Sequence, residues 1–424
     1  TKNSSQSDNK PIECFCAARH TKDCINIYTP VEDRINQDQH CMIVARAESA
    51  QQTFPCKLKN REQVNQATHW LDLSPIYGSQ LRHSNQLRLY KNGFLKSDRL
   101  NDFYQEYFTQ DPARGECRDE LDGKACFVSG EKGLNQNMLV MSIATLWLRE
   151  HNRLAKELKT INKDWNDETL FQEARKINIA QYQKCAYNDW LMIVIGKHAS
   201  DSFNLAVAKE GFTNVYNQKK NPQIFVEFAA AAFRFGHSMV RTWVQKADAD
   251  LKLISNITLG KLVYRPVEAY RDGGLDALFR GMLVDEANKF DTAISETLED
   301  HLFEHHRPSS DTIRYSLGAL NINSGRDHGL QPYNKYRKLC GLNMAKSFEN
   351  LTGIAAQKIS MLKRIYAHVN DIDLFTGGAA ETPQKGALVG PTFSCIILFI
   401  FHFKIFIYFM CFMICLYFLY HIIK

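Results

Sequence analysis

Phe225–Val244 reads FVEFAAAAFRFGHSMVRTWV, a long apolar run carrying one histidine, His237. Phe225, Phe228, Ala229, Ala232 and Phe235 recur at three- and four-residue steps, which predicts one long helix with this face buried. Arg234 lies three residues before His237, so both project from the same side of such a helix. Buried helices seldom carry Arg or His without something inside to compensate them. The stretch alone leaves two readings: a core histidine held by one hydrogen bond, or a ligand for something bound.

Length, 424 residues, permits two or three domains. Hydrophobic residues at 45% and charged residues at 23% suit a globular protein with a sizeable core. The net charge of +6 is spread along the chain with no basic stripe between aromatics, which argues against nucleic acid as a partner. Twelve cysteines show no CxxC and no metal-type spacing, and Cys14-Phe15-Cys16 is too little for a zinc site. Cys41 and Cys56 bracket a short segment suited to a disulfide. Sequons at Asn3, Asn256 and Asn350 permit glycosylation and lean towards secretion. The chain opens on Thr1 with no apolar signal region, which points to a fragment or a processed chain.

Residues 1–40 are polar and read as loop or linker. Thr68–Ser79, THWLDLSPIYGS, crowds Thr68, Asp72 and Ser74 into seven positions before a turn at Pro75. Such oxygens suit a hard cation such as Ca²⁺, and equally suit a helix cap followed by a turn. Met138–Leu158 reads as a helix, with Leu146, Leu154 and Leu158 among its apolar positions. His151 on it lacks an HExxH context and reads as a packed or solvent-facing residue. Further helices are expected over 168–196, ending at Gly196, and near 267–282 and 293–306. With no βαβ rhythm and no fixed-period repeat, the fold class is mainly α.

The tail from Leu398 to Lys424 contains no Gly, Pro, Asp or Glu. Its uncharged run, Ile405–Ile423, is 19 residues long, enough to cross a bilayer. Hydropathy favours a membrane anchor. The alternative is a gene-model artefact, since the residues are those of A/T-rich codons.

Taken in order, these segments resemble the animal haem peroxidase family. The likeness covers Cys24 to Ile397 and rests on THWLDLSPIYGS, TLWLREHNRLAKEL, EARKINIAQYQKCAYNDWLMIVIG, FAAAAFRFGH, GGLDALFRG, LNINSGRDHGLQPYNKYRKLCGL, DIDLFTGG and GALVGPTFSCII. The resemblance implies a single large helical domain over 24–397, after a polar segment 1–23 and before the tail 398–424. It implies haem b with His237 as the proximal iron ligand and Asn321 accepting the other ring N–H through its side-chain oxygen. Arg234 matches a haem-edge position suited to a propionate, and Gln136 the position of a haem-contacting acid. Thr68, Trp70 through its carbonyl, Asp72 and Ser74 match a Ca²⁺ loop. Cys41–Cys56, Cys117–Cys126 and Cys340–Cys395 match family disulfides, which implies an oxidising compartment.

The departures bear on catalysis. The family's distal histidine sits in an Asp-His-Asp motif, expected upstream of Thr1, and no such tripeptide occurs here. Gly133 replaces the distal arginine of the family pattern, and Gln136 cannot form the ester to haem that a glutamate forms. The likeness stops at Ile397, which favours the artefact reading of the tail. The resemblance thus implies a secreted peroxidase that reduces hydrogen peroxide and oxidises a halide, phenolic or tyrosyl donor, in the response to oxidative stress or in matrix or immune cross-linking. Its rivals are a non-catalytic peroxidase-like adhesion or matrix protein, and a form anchored through Ile405–Ile423.

Overall fold

The computed structural model describes residues 14–17, 21–33, 40–50, 60–100, 105–111, 117, 125–205, 219, 221, 223–306 and 312–402. It is 50% helical and 11% strand, a mainly α fold. The principal helices are α1 (Met138–Ile161), α2 (Asp167–Lys184), α3 (Val226–Ala230), α4 (Gly274–Val284), α5 (Leu317–Asp327), α6 (Tyr333–Leu339), α7 (Leu374–Ala380) and α8 (Pro391–His402). Among the described residues, strands pair only in two-stranded antiparallel ladders, the longest joining β1 (Trp243–Ala247) to β2 (Leu253–Thr258). The chain divides into two compact units, one of residues 1–66, 224–240 and 288–399, the other of 67–223, 241–287 and 400–424.

In the second unit, α1 begins where the Asn137 side chain accepts from Leu139 N at 2.9 Å, and α2 where Asn166 accepts from Thr169 N at 2.9 Å. Asp167 and Glu168 in the first turn of α2 both take hydrogen bonds from the buried Arg88. The run from α2 continues through a π-helical turn, Cys185–Leu191, and a short helix, Met192–Ile195, before Gly196 ends it as expected. Helices α1 and α2 pack together, and α4 packs on β1. That last contact requires Gly281, because a Cβ there would sit 1.7 Å from the Gln245 carbonyl oxygen. His151 is fully buried in α1: Nε2 donates to Gly93 O at 2.9 Å, so Nδ1 accepts from the Tyr77 hydroxyl at 2.9 Å. Asn178 donates to the same hydroxyl at 2.9 Å. The packed reading of this histidine is the observed one.

In the first unit, α7 packs on both α5 and α6, and a buried carboxylate just past α7, Glu381, links α6 to the start of α8. Glu381 accepts from the Tyr333 hydroxyl at 2.7 Å, from Thr392 N at 2.8 Å and from Thr392 Oγ1 at 2.6 Å, with Arg337 Nη1 at 3.8 Å. The Cys340–Cys395 disulfide ties the end of α6 to α8 beside this network.

Three expectations need correction. Cys41 bonds to Cys16, and Cys14 to Cys24, so the Cys41–Cys56 pairing is excluded; Cys56 itself lies outside the described residues. Cys117–Cys126 forms as expected. The helix expected over 293–306 is one turn, Glu296–Glu299, followed by a strand, Leu302–His306, that pairs with Thr312–Tyr315. The third correction concerns the stretch around His237 and is described with the site. In the tail, Leu398, Ile400 and Phe401 are buried at the end of α8, and 403–424 lie outside the described residues. No described helix is long and apolar enough to cross a membrane.

Candidate functional site

The Phe225–Val244 stretch is not one long helix. Helix α3 ends at Ala231 (φ −138°, ψ −69°), a 3₁₀ helix runs over Ala232–Met239, Val240 is extended, and β1 begins at Trp243. The break lets Phe228 stack on Phe233, ring centroids 4.5 Å apart, and sets Phe235 edge-on to Phe290 at 5.9 Å. Burial follows those aromatics rather than a single face: Phe228, Phe233 and Phe235 are buried, whereas Phe225 and Ala229 are exposed. In a 3₁₀ helix, side chains three residues apart eclipse. Arg234 and His237 therefore still share one side, for a different reason from the one their spacing suggested.

Asn321, fully buried on α5, meets both of them. Arg234 Nη1 donates to Asn321 Oδ1 at 3.0 Å, and Asn321 Nδ2 lies 3.0 Å from His237 Nδ1. A guanidinium only donates, so it takes the amide oxygen and leaves the amide nitrogen to donate to the imidazole. The oxygen-accepting role expected of Asn321 towards His237 is thus reversed here. Burial, and secondarily the Arg234 charge, push His237 down to about 3 against the opposing Asn321 hydrogen bond. The ring is neutral at physiological pH, as a metal ligand must be. Nε2 has no hydrogen-bond partner among the described residues.

Arg234 also donates through Nε to Ala229 O at 3.2 Å, and among the described residues no carboxylate pairs with it. Burial pushes it down to about 10, still a cation at neutral pH. Nε2, without a partner among the described residues, beside an uncompensated guanidinium suits an iron porphyrin bearing a carboxylate side arm once the Asn321 amide has turned and the ring proton has moved from Nε2 to Nδ1. A cavity of about 60 Å³ borders Asn321, lined also by Ala230, Ala231, Leu330, Asp373 and Phe375 among others, with room for several waters.

In the second unit, Thr68 Oγ1 gathers three further oxygens. Trp70 O lies 3.3 Å away, Asp72 Oδ1 3.2 Å and Ser74 Oγ 3.2 Å. Asp72 Oδ1 also accepts from Ser74 N at 2.9 Å, and Leu73 between them is left-handed (φ 51°). The N-cap residue Leu73 of the short helix Ser74–Tyr77 makes no side-chain cap, and the Asp72 carboxylate takes the helix's first N–H instead, so this geometry serves the cap reading as well as the cation reading. No cluster of three His, Cys, Asp or Glu occurs among the described residues, and this all-oxygen set suits a hard cation.

The Gly130–Asn137 segment forms a 3₁₀ turn over Lys132–Gln136, with Gly133 N donating to Glu131 Oε1 at 3.3 Å. Asn135 is buried and brackets Phe127, donating to its carbonyl and accepting from its N–H, both at 2.8 Å. Gly133 presents no side chain, Lys132 is exposed and Gln136 is half-buried.

A family model, animal haem peroxidase, matches residues 1–403. The chain belongs to the animal haem peroxidase family. Among its peroxidase relatives, the peroxidasin of Drosophila melanogaster is 33% identical over 405 residues, covering 91% of this chain and 26% of that protein. The chorion peroxidase of the same organism is 36% identical over 342 residues, 81% of this chain and 41% of that protein. The chain therefore spans well under half the length of these curated relatives. The solved structure of peroxidase A from Dictyostelium discoideum superposes with a TM-score of 0.77 at 26% identity, covering 90% of this chain and 73% of that one.

Sequence reasoning missed the Tyr77–His151–Asn178 chain and the two N-terminal disulfides. The close set Cys14, Cys16, Cys24 and Cys41 was the available signal for the disulfides, though spacing alone does not give connectivity.

Proposed function

We propose that this chain is the haem-binding part of an extracellular peroxidase, with residues 24–397 as its domain. It reduces hydrogen peroxide and oxidises a halide, phenolic or tyrosyl donor, in oxidative-stress defence or in matrix or immune cross-linking. The observation that carries this reading is the Arg234–Asn321–His237 chain of hydrogen bonds. Haem b, when bound, supplies a redox-active iron. His237 would hold the iron through Nε2, Asn321 would fix the ring's orientation from behind, and Arg234 would pair with a propionate. A partner behind a ligating histidine sets its tautomer and basicity. Thr68, Asp72 and Ser74, with the Trp70 carbonyl, would hold Ca²⁺ beside the buried Ile76 and Tyr77. The four disulfides among the described residues and the exposed sequon residues Asn256 and Asn350 support an extracellular location. The anchored alternative rests on Ile405–Ile423, outside the described residues.

A second reading, a peroxidase-like adhesion or matrix protein without turnover, is favoured by Gly133. Absence of one preorganised donor from the distal side typically costs ~100- to 1000-fold in rate. Gln136, an amide, leaves any contact with haem non-covalent.

Haem titration of the purified full-length protein tests the leading reading. A Soret band is expected that His237→Ala abolishes; normal haem binding by that variant overturns the ligand assignment. Gly133→Arg separates the two readings: it should raise peroxide turnover in an enzyme, and leave it at zero in a protein that only keeps the fold.

A further inference from the structure

The β1–β2 hairpin has two unlike faces. Its register pairs Trp243 with Thr258, Val244 with Ile257, Gln245 with Asn256 and Lys246 with Ser255. Val244, Lys246 and Ile257 are buried, so the alternate positions Trp243, Gln245, Asn256 and Thr258 form the outer face. Lys246 is held inside by Glu268 at 3.1 Å and by the Arg271 carbonyl at 3.1 Å, which fixes which face is in. On the outer face Trp243 is 55% exposed, and Ile254, four residues along β2 from Thr258, is 48% exposed.

Asn256-Ile257-Thr258 is a glycosylation sequon lying along that same face. Trp243 stands directly across from its threonine and diagonally from its asparagine, a separation that an aromatic side chain spans. Asn256 is exposed, and its side chain has no hydrogen-bond partner among the described residues. The Asn350 sequon is engaged differently: Asn350 Oδ1 is 3.1 Å from Ser347 Oγ, and Thr352 Oγ1 accepts from Arg337 at 3.0 Å.

We propose that Asn256 carries an N-linked glycan whose first sugars lie over the indole of Trp243. The electron-rich face of an indole attracts the polarised C–H groups on one face of a pyranose ring. Sugar at Asn256 also shields Trp243 from water. The exposed indole thereby gains a covalently attached cover.

The inference rests on the extracellular reading, and routing the full chain through a secretory pathway with an added leader makes the two failures distinct. Peptide mapping of protein recovered from the medium should find Asn256 glycosylated. Thr258→Ser should keep the modification and Thr258→Ala should lose it. Enzymatic removal of glycan should then increase quenching of tryptophan fluorescence by acrylamide in the wild type, and leave Trp243→Phe unchanged. An unmodified Asn256 in secreted protein overturns the proposal. So does an occupied Asn256 whose removal leaves Trp243 quenching the same, a result that would assign the exposed indole to a protein partner.

Discussion

Asn321 donates to His237, its Nδ2 lying 3.0 Å from the imidazole Nδ1, while Arg234 occupies the amide oxygen. A neutral imidazole that accepts at Nδ1 carries its proton on Nε2. A metal at Nε2 needs that lone pair, so the proton belongs on Nδ1 and the amide must turn its oxygen towards the ring. Arg234 would then lose its side-chain acceptor and be released towards a carboxylate. If His237 holds the iron as proposed, its ligation and the pairing of Arg234 with a propionate would be coupled through one amide.

Substitutions at Asn321 should expose that coupling. Asn321→Ala is expected to weaken haem retention by ~10- to 100-fold, the usual cost of removing such a supporting partner. Asn321→Asp accepts from both neighbours without turning and should retain haem. Soret titration of the two variants decides the matter, and equal affinities would sink the coupling.

Stability should fall on the acid side of neutrality. Burial pushes His151 from its ordinary 6.5 down to about 4. Below pH 6.5 the unfolded chain takes up this proton and the folded chain refuses it, so stability is full above that pH and drains away as the pH falls to about 4. For His151 the loss amounts to roughly 3 kcal/mol at the lower limit. Urea unfolding between pH 7 and 4 should show the slope, and His151→Gln should flatten it; an unchanged slope would contradict the assignment.

The oxygen loop at Thr68–Ser74 should respond to chelation. Ca²⁺ at a hundred times its Kd would stabilise the folded chain by about 2.7 kcal/mol. Adding a chelator should lower the Tm of the wild type and not that of Asp72→Asn, which keeps an acceptor for Ser74 N and loses the charge. A wild type indifferent to both Ca²⁺ and chelator would remove the cation from this loop.

Glu381 is predicted to be a stability determinant of the first unit. Glu381→Ala strands the Tyr333 hydroxyl, both Thr392 donors and the Arg337 charge, at a cost of about 3–5 kcal/mol. Glu381→Gln keeps an acceptor for Tyr333 and should lose less. Denaturant midpoints of the two variants provide the measurement, and a silent Glu381→Ala would show that the network carries no net energy.

What the sequence made legible follows from how local each signal is. The periodicity of α1 and α2 and the stop at Gly196 are local, and the fold class came from them. An Ala-rich apolar run satisfies a 3.6-residue period and a 3.0-residue period almost equally, so the break at Ala231 and the 3₁₀ turn under His237 were invisible. Only packing among Phe228, Phe233 and Phe235 selects them. The meeting of Asn321 with His237 spans 84 residues and was reached through the order of motifs rather than spacing. The hydrogen-bonding sense of that amide depended on Arg234, a third residue that no pairwise reading includes. The strand at Leu302–His306 owes its existence to a partner strand, a non-local cause.

The Cys340–Cys395 bond has a practical consequence. It closes a ring with a sequence separation of 55 residues that carries the whole path from the end of α6 through α7 into α8. Loss of freedom in the unfolded ring is worth about 4 kcal/mol on the chain-entropy model. A protease that nicks any exposed peptide inside that ring would leave both pieces joined, so damage there would stay hidden on a gel until a reductant is added.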